Sequence, residues 1–299
     1  MSLSFIVAVA CVCAEGRGET VGTSSDPPQS PWMWGILIIG VCAAVAIFVS
    51  GVWRSSRFVA TRWPLSVGES LLLFVILQVL GALGAEIGTR VAPPQTEGAA
   101  PSINGTLWMM GSAAVLQIIA LLLFLMRRDT AAHPWTRSKS ALLGAAALAA
   151  AWFPLHAIGT AIASVQVALG GPAIPREGHA TLQLLGKVPL DLQQWFLIGG
   201  VVVIVPAIEE VMFRGALLGA LRRVGLPVWT AIALSAAIFA LLHVPALVGD
   251  AVAPGLAMLF ALGTLLGWCA ARTGSLAAPI MAHALFNAAN VLQSLQSLR

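Results

Sequence analysis

The chain has 299 residues, of which 59% are hydrophobic and only 9% charged, and its mean hydropathy is +0.91. A soluble domain carries roughly 25% charged residues, and no packed core of this size explains the deficit, so the sequence predicts an all-α, polytopic bundle of membrane helices. The net charge of +4 comes from basic residues scattered in short groups between apolar runs, a membrane-topology pattern that excludes a nucleic-acid-binding surface.

Residues 1–14 are apolar and end in Val12-Cys13-Ala14, a small-residue cleavage pattern, but no basic stretch precedes them. They read as a cleaved signal peptide or a short N-terminal tail, and the polar residues 15–31 as a disordered external linker. Cys11, Cys13, Cys42 and Cys269 are spaced as neither a disulfide framework nor a zinc knuckle. About eight apolar spans follow, each near the ~20 residues a bilayer requires, at about 33–53, 65–85, 107–126, 140–166, 193–221, 226–248, 252–271 and 275–294. Tryptophans mark their ends as an interfacial belt: Trp32, Trp34, Trp53, Trp63, Trp108, Trp195, Trp229 and Trp268.

Arg54, Arg57, Arg62, Arg127, Arg128, Arg137, Lys139, Arg222, Arg223 and Arg272 fall on one side of these spans. Arg17, Arg90, Arg176, Lys187 and Arg299 fall on the other. Ten against five places the first group in the cytoplasm and both termini outside. The longer connections, about 86–106 and 167–192, are then external, and Asn104-Gly105-Thr106 is a chance glycosylation match in a loop. The spans before residue 192 are mostly plain, whereas those after it carry polar residues at helical spacing. The organisation expected is a signal and tail over 1–31, N-terminal helices over 32–192 and a functional helical domain over 193–299.

That last domain holds three polar pairs, each spaced i,i+4 and so on one helical face: Glu210 with Arg214, preceded by Glu209; Phe239 with His243; and His283 with Asn287. Ionisable groups at membrane depth are costly and mark function by default. Pro206, Pro245 and Pro279 stand beside Glu209, His243 and His283, and a proline in a membrane helix frees a backbone carbonyl where the site is buried in protein or wet. A carboxylate in low-dielectric surroundings becomes a usable general base near neutral pH. A histidine beside it shares or orients the proton, and a second histidine with an asparagine amide donates to a developing oxyanion. Such a set suits water-driven hydrolysis of an acyl bond. Glu209 has apolar Phe213 one turn on and suits the base, whereas Glu210 has Arg214 one turn on, which ties it to positioning. Phe239 is expected to line the site, and His156 is left without a role. Gly215-x-x-x-Gly219 and Gly263-x-x-x-Gly267 fit close helix packing.

Over about residues 193–295 the pattern resembles the CPBP family of intramembrane proteases, which comprises the type II CAAX prenyl endopeptidases and the bacterial Abi, or bacteriocin-processing, proteins. The resemblance implies an intramembrane endopeptidase with Glu209 as base on water, helped by His243, with His283 and Asn287 holding the oxyanion and Glu210 and Arg214 in support. The family has been described both as zinc metalloproteases and as metal-independent glutamate proteases. No His-Glu-x-x-His motif is present, although Glu209, His243 and His283 would supply three zinc ligands and leave a fourth position open. The metal-free reading, with no cofactor, is favoured. The substrate expected is a membrane-anchored or lipidated protein, or a leader peptide, met in the lipid bilayer. The Ala-, Gly- and Leu-rich composition points to a bacterial plasma membrane and away from a prenylated substrate. Two other classes fit the polar spans: a proton-coupled transporter and a non-catalytic immunity or scaffolding protein. Against the transporter, the sequence shows no repeat symmetry. The orientation is tested by reporters fused between residues 127 and 139, which should report the cytoplasm; an external signal would reverse it.

Overall fold

The computed structural model describes residues 31–296 apart from residues 53, 55–57, 59–62, 94–101, 126–135, 173–177 and 186–190. The signal and most of the external tail, Cys11 and Cys13, and most of the basic loop residues used for orientation lie outside the described residues. Among the described residues every named element is helical, and an isolated antiparallel bridge joins His179 to Leu247. In chain order the helices are α1 (Pro31–Ser50), α2 (Val67–Val91), α3 (Ile103–Leu125), α4 (Arg137–Ala168), the short α5 (Ala180–Leu185), the helical run α6 (Leu192–Arg223), α7 (Val228–Leu241), α8 (Val252–Thr273) and α9 (Ala277–Gln296).

Helices occupy all eight expected positions, and among the described residues six segments are long and apolar enough to cross a membrane. Helix α1 has 20 residues, apolar over Gly35–Ser50, and α9 is not among the six because its sequence carries His283, Asn287, Asn290, Gln293 and Ser294. The connection between α2 and α3 is also shorter than expected, since α2 continues to Val91 and α3 starts at Ile103. Asn104-Gly105-Thr106 therefore lies in the first turn of a helix and not in a loop, with Thr106 buried. Glu86, near the end of α2, forms an exposed i,i+4 ion pair with Arg90 at 2.8 Å.

The bundle is inverted relative to a soluble protein. Val41, Val45, Phe48, Val79, Leu122 and Leu123 are exposed on helix faces, whereas Glu209, Glu210, Arg214, His243 and His283 are buried. Lipid supplies no hydrogen bonds, so polar groups turn inward, where partners exist. Helix α4 is the hub, packing against α1, α8 and α9, while α2 pairs with α3 and α7 with α8. The main core gathers Leu73 and Leu77 from α2, Leu148 and Leu155 from α4, Met212 and Phe213 from α6, Phe239 from α7, Leu262 from α8 and Phe286 from α9.

Small residues set the closest approaches, because without a hydrophobic drive between helices the packing itself must hold them. A Cβ on Gly144 would stand 2.0 Å from the Ala278 carbonyl oxygen, so α4 and α9 touch backbone to backbone. Gly263 and Gly267 of α8 meet Ala236 and Ile232 of α7, the helix contact anticipated for that pair. Gly215 and Gly219 accommodate something else: the indole of Trp63, from the segment before α2, lies across both. Gly144→Ala should lower thermal stability by about 1–3 kcal/mol through overpacking. Gly111→Ala, where a Cβ meets nothing within 4 Å, should be neutral or slightly stabilising. Melting curves in detergent compare the two, and equal effects would refute the close α4–α9 contact.

Candidate functional site

The site begins with a deformed helix. Pro206 lies inside α6 and brings no backbone N–H. Over Gly200–Ile204 the helix widens to π geometry, and the Val205 N–H bonds the Gly200 carbonyl five residues back. Normal α geometry returns for Val205–Glu210, and a second π segment covers Val211–Leu217. Such wide turns within an α-helix are uncommon and often sit at functional sites. Here they bracket the adjacent glutamates, so neither side's neighbours follow the simple 3.6-residue face.

Both carboxylates are buried, Glu209 at 2% and Glu210 at 0% exposure, and they face different partners. Oε1 of Glu210 accepts from Nη1 of Arg214 at 3.1 Å and lies 2.9 Å from Nδ1 of His283. The carboxylate of Glu209 faces two imidazoles: Oε1 is 3.9 Å from Nε2 of His243, and Oε2 is 3.8 Å from Nε2 of His283. Those two separations are too long for hydrogen bonds, whereas the Glu210 contacts are of hydrogen-bond length. Glu210 is thus locked in place, and Glu209 borders a gap.

The hydrogen bonds also assign the imidazole protons. Nδ1 of His243 lies 2.7 Å from the Phe239 carbonyl oxygen, which only accepts, so Nδ1 carries the hydrogen and Nε2 of the neutral ring turns a lone pair toward Glu209. His283 places Nδ1 against a carboxylate, so Nδ1 donates there as well, and its Nε2 can donate only when the ring is an imidazolium. His243 itself lies beyond the end of α7 at Leu241, on the turn leading into Val244–Ala246, and not inside a continuous helix as the spacing suggested. Its bond to Phe239 preserves the i,i+4 relation.

Phe239 occupies the centre of the site. Its ring lies 4.4 Å from that of His243, 5.8 Å from that of His283 and 5.1 Å from that of Phe213. The Arg214 guanidinium carbon stands 4.6 Å from the same ring centroid, and Nη2 donates to the Gly263 carbonyl at 3.2 Å. Arg214 is thus held by an anion, a π face and a carbonyl, which together offset the loss of water. Asn287, half-buried one turn beyond His283, donates from Nδ2 to the Val201 carbonyl at 2.9 Å.

Two contacts had no sequence signal. The bond between Glu210 and His283 joins residues 73 positions apart. The connection after α4 also returns over the bundle: His179 bridges to Leu247, the Val248 N–H bonds the Gly178 carbonyl at 3.1 Å, and fully buried Leu185 packs in the same cluster as Ala246. That loop therefore packs on the segment following His243. His156, left unassigned, directs Nδ1 at the Trp152 carbonyl within its own helix, and buried Cys269 belongs to a small cluster with Trp268 and Ala278.

Zinc would require Glu209, His243 and His283 to converge. Tetrahedral ligands at zinc distances stand roughly 3.3–3.5 Å from one another. The carboxylate-to-imidazole separations here are wider, at 3.9 and 3.8 Å, and no group of three His, Cys, Asp or Glu residues among those described is arranged to hold a metal. The donors as placed do not fit zinc.

Residues 191–289 match the family model of the Rce1-like type II CAAX prenyl endopeptidases, about a third of the chain. The match spans all seven site residues and supports assignment to the CAAX protease family. No curated protein and no solved structure gives a match.

The geometry separates the two glutamates by consequence. Glu210→Gln leaves the Arg214 cation buried without its anion and should cost about 3–5 kcal/mol of stability. Glu210→Gln combined with Arg214→Met removes both charges and should recover part of that loss. Thermal unfolding of the purified variants measures both. Equal stability of Glu210→Gln and the wild-type chain would show that the ion pair is not structural.

Proposed function

We propose that this chain, which residues 191–289 assign to the CPBP family of CAAX-type proteases, is an intramembrane endopeptidase in which Glu209 activates water. The observation that carries this reading is the convergence of the Glu209 carboxylate with the two Nε2 atoms of His243 and His283. Separations of 3.8–3.9 Å leave no room for a water between these atoms, but one seated beside them can contact all three.

In this mechanism the water donates one hydrogen to Glu209 and is oriented by the Nε2 lone pair of His243. Glu209 takes the proton as the water oxygen bonds to the peptide carbonyl carbon. His283, as an imidazolium held by Glu210, donates from Nε2 to the carbonyl oxygen as its negative charge develops. The proton on Glu209 then passes to the leaving amide nitrogen, the C–N bond breaks, and an acid and an amine are released. Phe213 and Phe239 keep the gap apolar, which strengthens each of these interactions.

The substrate class is a membrane-anchored or lipidated protein, or a leader peptide, reaching the buried site from the bilayer. The bacterial plasma membrane is the proposed setting, and a substrate without a prenyl group is favoured. The experiment compares new N-termini in membranes carrying the wild-type chain with those carrying Glu209→Gln. A product seen only with the wild-type chain then becomes the substrate of the purified enzyme in liposomes without a proton gradient. Glu209→Gln should reduce its cleavage about 10²-fold or more while melting normally. A chelator should leave cleavage largely intact. Loss on chelation with recovery by stoichiometric zinc would establish a metalloprotease instead, and full activity of Glu209→Gln would exclude the mechanism.

A further inference from the structure

The wide turn at Gly200–Ile204 creates a specific deficit. In this register a carbonyl takes its hydrogen bond from the N–H five residues on, as Gly200 does from Val205. The corresponding donor for the Val201 carbonyl would be residue 206, which is proline and has no N–H. The alternative α-helical donor, the Val205 N–H, is already bonded to Gly200. Val201 therefore lacks a ladder partner within its own helix. A backbone carbonyl left unpaired at membrane depth is costly, and no water stands ready in lipid to satisfy it.

The missing hydrogen arrives from another helix. Nδ2 of Asn287, on α9, donates to this carbonyl at 2.9 Å. We infer that Asn287 is a positioning residue: its amide replaces the backbone donor that Pro206 removes, and the bond tethers α9 to α6 beside the catalytic pair. The tether sits one turn beyond His283 on α9 and about two turns before Glu209 on α6. It therefore bears on the approach of His283 Nε2 to Glu209 Oε2, 3.8 Å apart, beside which the proposed water sits. An asparagine is suited to this because its amide donates while remaining neutral, so it satisfies the carbonyl without adding charge to a site already holding two carboxylates. Asn287 on this reading acts through backbone geometry, and the oxyanion is left to His283.

The pairing makes a sharp prediction, because the deficit can be removed at its source. Pro206→Ala restores an N–H that can reach the Val201 carbonyl. Asn287→Ala alone should lower Tm by roughly 2–4 °C or more, the scale expected for one hydrogen bond in a chain of this size. In the Pro206→Ala background the same Asn287→Ala change should cost little or nothing. This arm does not depend on the protease reading. The second arm does: kcat for the product defined above should fall with Asn287→Ala while KM stays within about twofold, and the fall should vanish when measured against Pro206→Ala as the parent. If Asn287→Ala fails to fold, recovery of a folded, active chain in the double variant supports the inference, and failure of the double variant overturns it. Equal losses of Tm in the two backgrounds overturn it as well. A kcat loss that persists undiminished in the Pro206→Ala background identifies Asn287 as a direct oxyanion donor and overturns the positioning role.

Discussion

The structure depends on keeping one guanidinium out of water. Arg214 is almost wholly buried, and a cation in such a place is stable only when its charge is compensated, although its Nε has no hydrogen-bond partner. Glu210 answers with charge, Phe239 with its π face and Gly263 with a carbonyl. Each partner comes from a different constraint: Glu210 from the same helix, Phe239 from α7, and Gly263 from α8 at a glycine where α7 and α8 approach closely. The guanidinium is therefore the point at which α6, α7 and α8 are brought into register. Once Glu210 is committed to Arg214, its Oε1 also holds His283, and α9 joins the same network.

Charge balance follows from this arrangement. Two carboxylates and one guanidinium would leave a net negative charge in a low-dielectric interior, and an uncompensated charge there is expensive. One additional proton neutralises the set. In the proposed mechanism that proton sits on His283, where Glu210 accepts from one ring nitrogen and Glu209 faces the other. The same proton is what His283 needs to donate to an oxyanion in the proposed mechanism. Electrostatic stability of the resting bundle and stabilisation of developing negative charge thus ask for one protonation state. His243 differs because its Nδ1 faces a neutral carbonyl, which leaves its Nε2 suited to accepting.

Much of this was legible in the sequence because i,i+4 spacing survives in helices whatever surrounds them. The pairs Glu210–Arg214 and Phe239–His243 are read directly, and the structure joins each by a bond within its own segment. That Glu209 and Glu210 cannot face the same group equally was legible as well, from the ~100° between successive helix positions. Contacts between helices were not. Nothing in a periodic pattern says that Glu210 meets His283, or that Trp63 would fill the surface offered by Gly215 and Gly219, where a helix was expected. All eight expected positions are helical, but the apolarity of one of them is reduced for a related reason. Helix α9 has the length to cross, but the polar residues that make it functional reduce the apolarity by which a span is recognised. The end of α7 before His243 was hidden because a spacing of four is compatible both with a helix and with a turn that closes on the same carbonyl.

The wide turns of α6 place a demand of the same kind on its neighbours. In water a helix that widens can let solvent take the carbonyls it frees, but in a bilayer the protein must supply the partners itself. Asn287 does so for the Val201 carbonyl, and Ser235 adds a second hydrogen, at 3.1 Å, to the Phe213 carbonyl, which also accepts from the Leu218 N–H of its own helix. The first of these carbonyls lies in the π segment before the glutamates and the second in the one after them. Their donors come from α9 and α7, the helices that carry His283 and lead to His243. A deformation that would destabilise an isolated helix thereby specifies which neighbours it must have. The Asn287 amide ties α9, and with it His283, to the segment before Glu209, and the Ser235 hydroxyl ties α7, which leads to His243, to the segment after it.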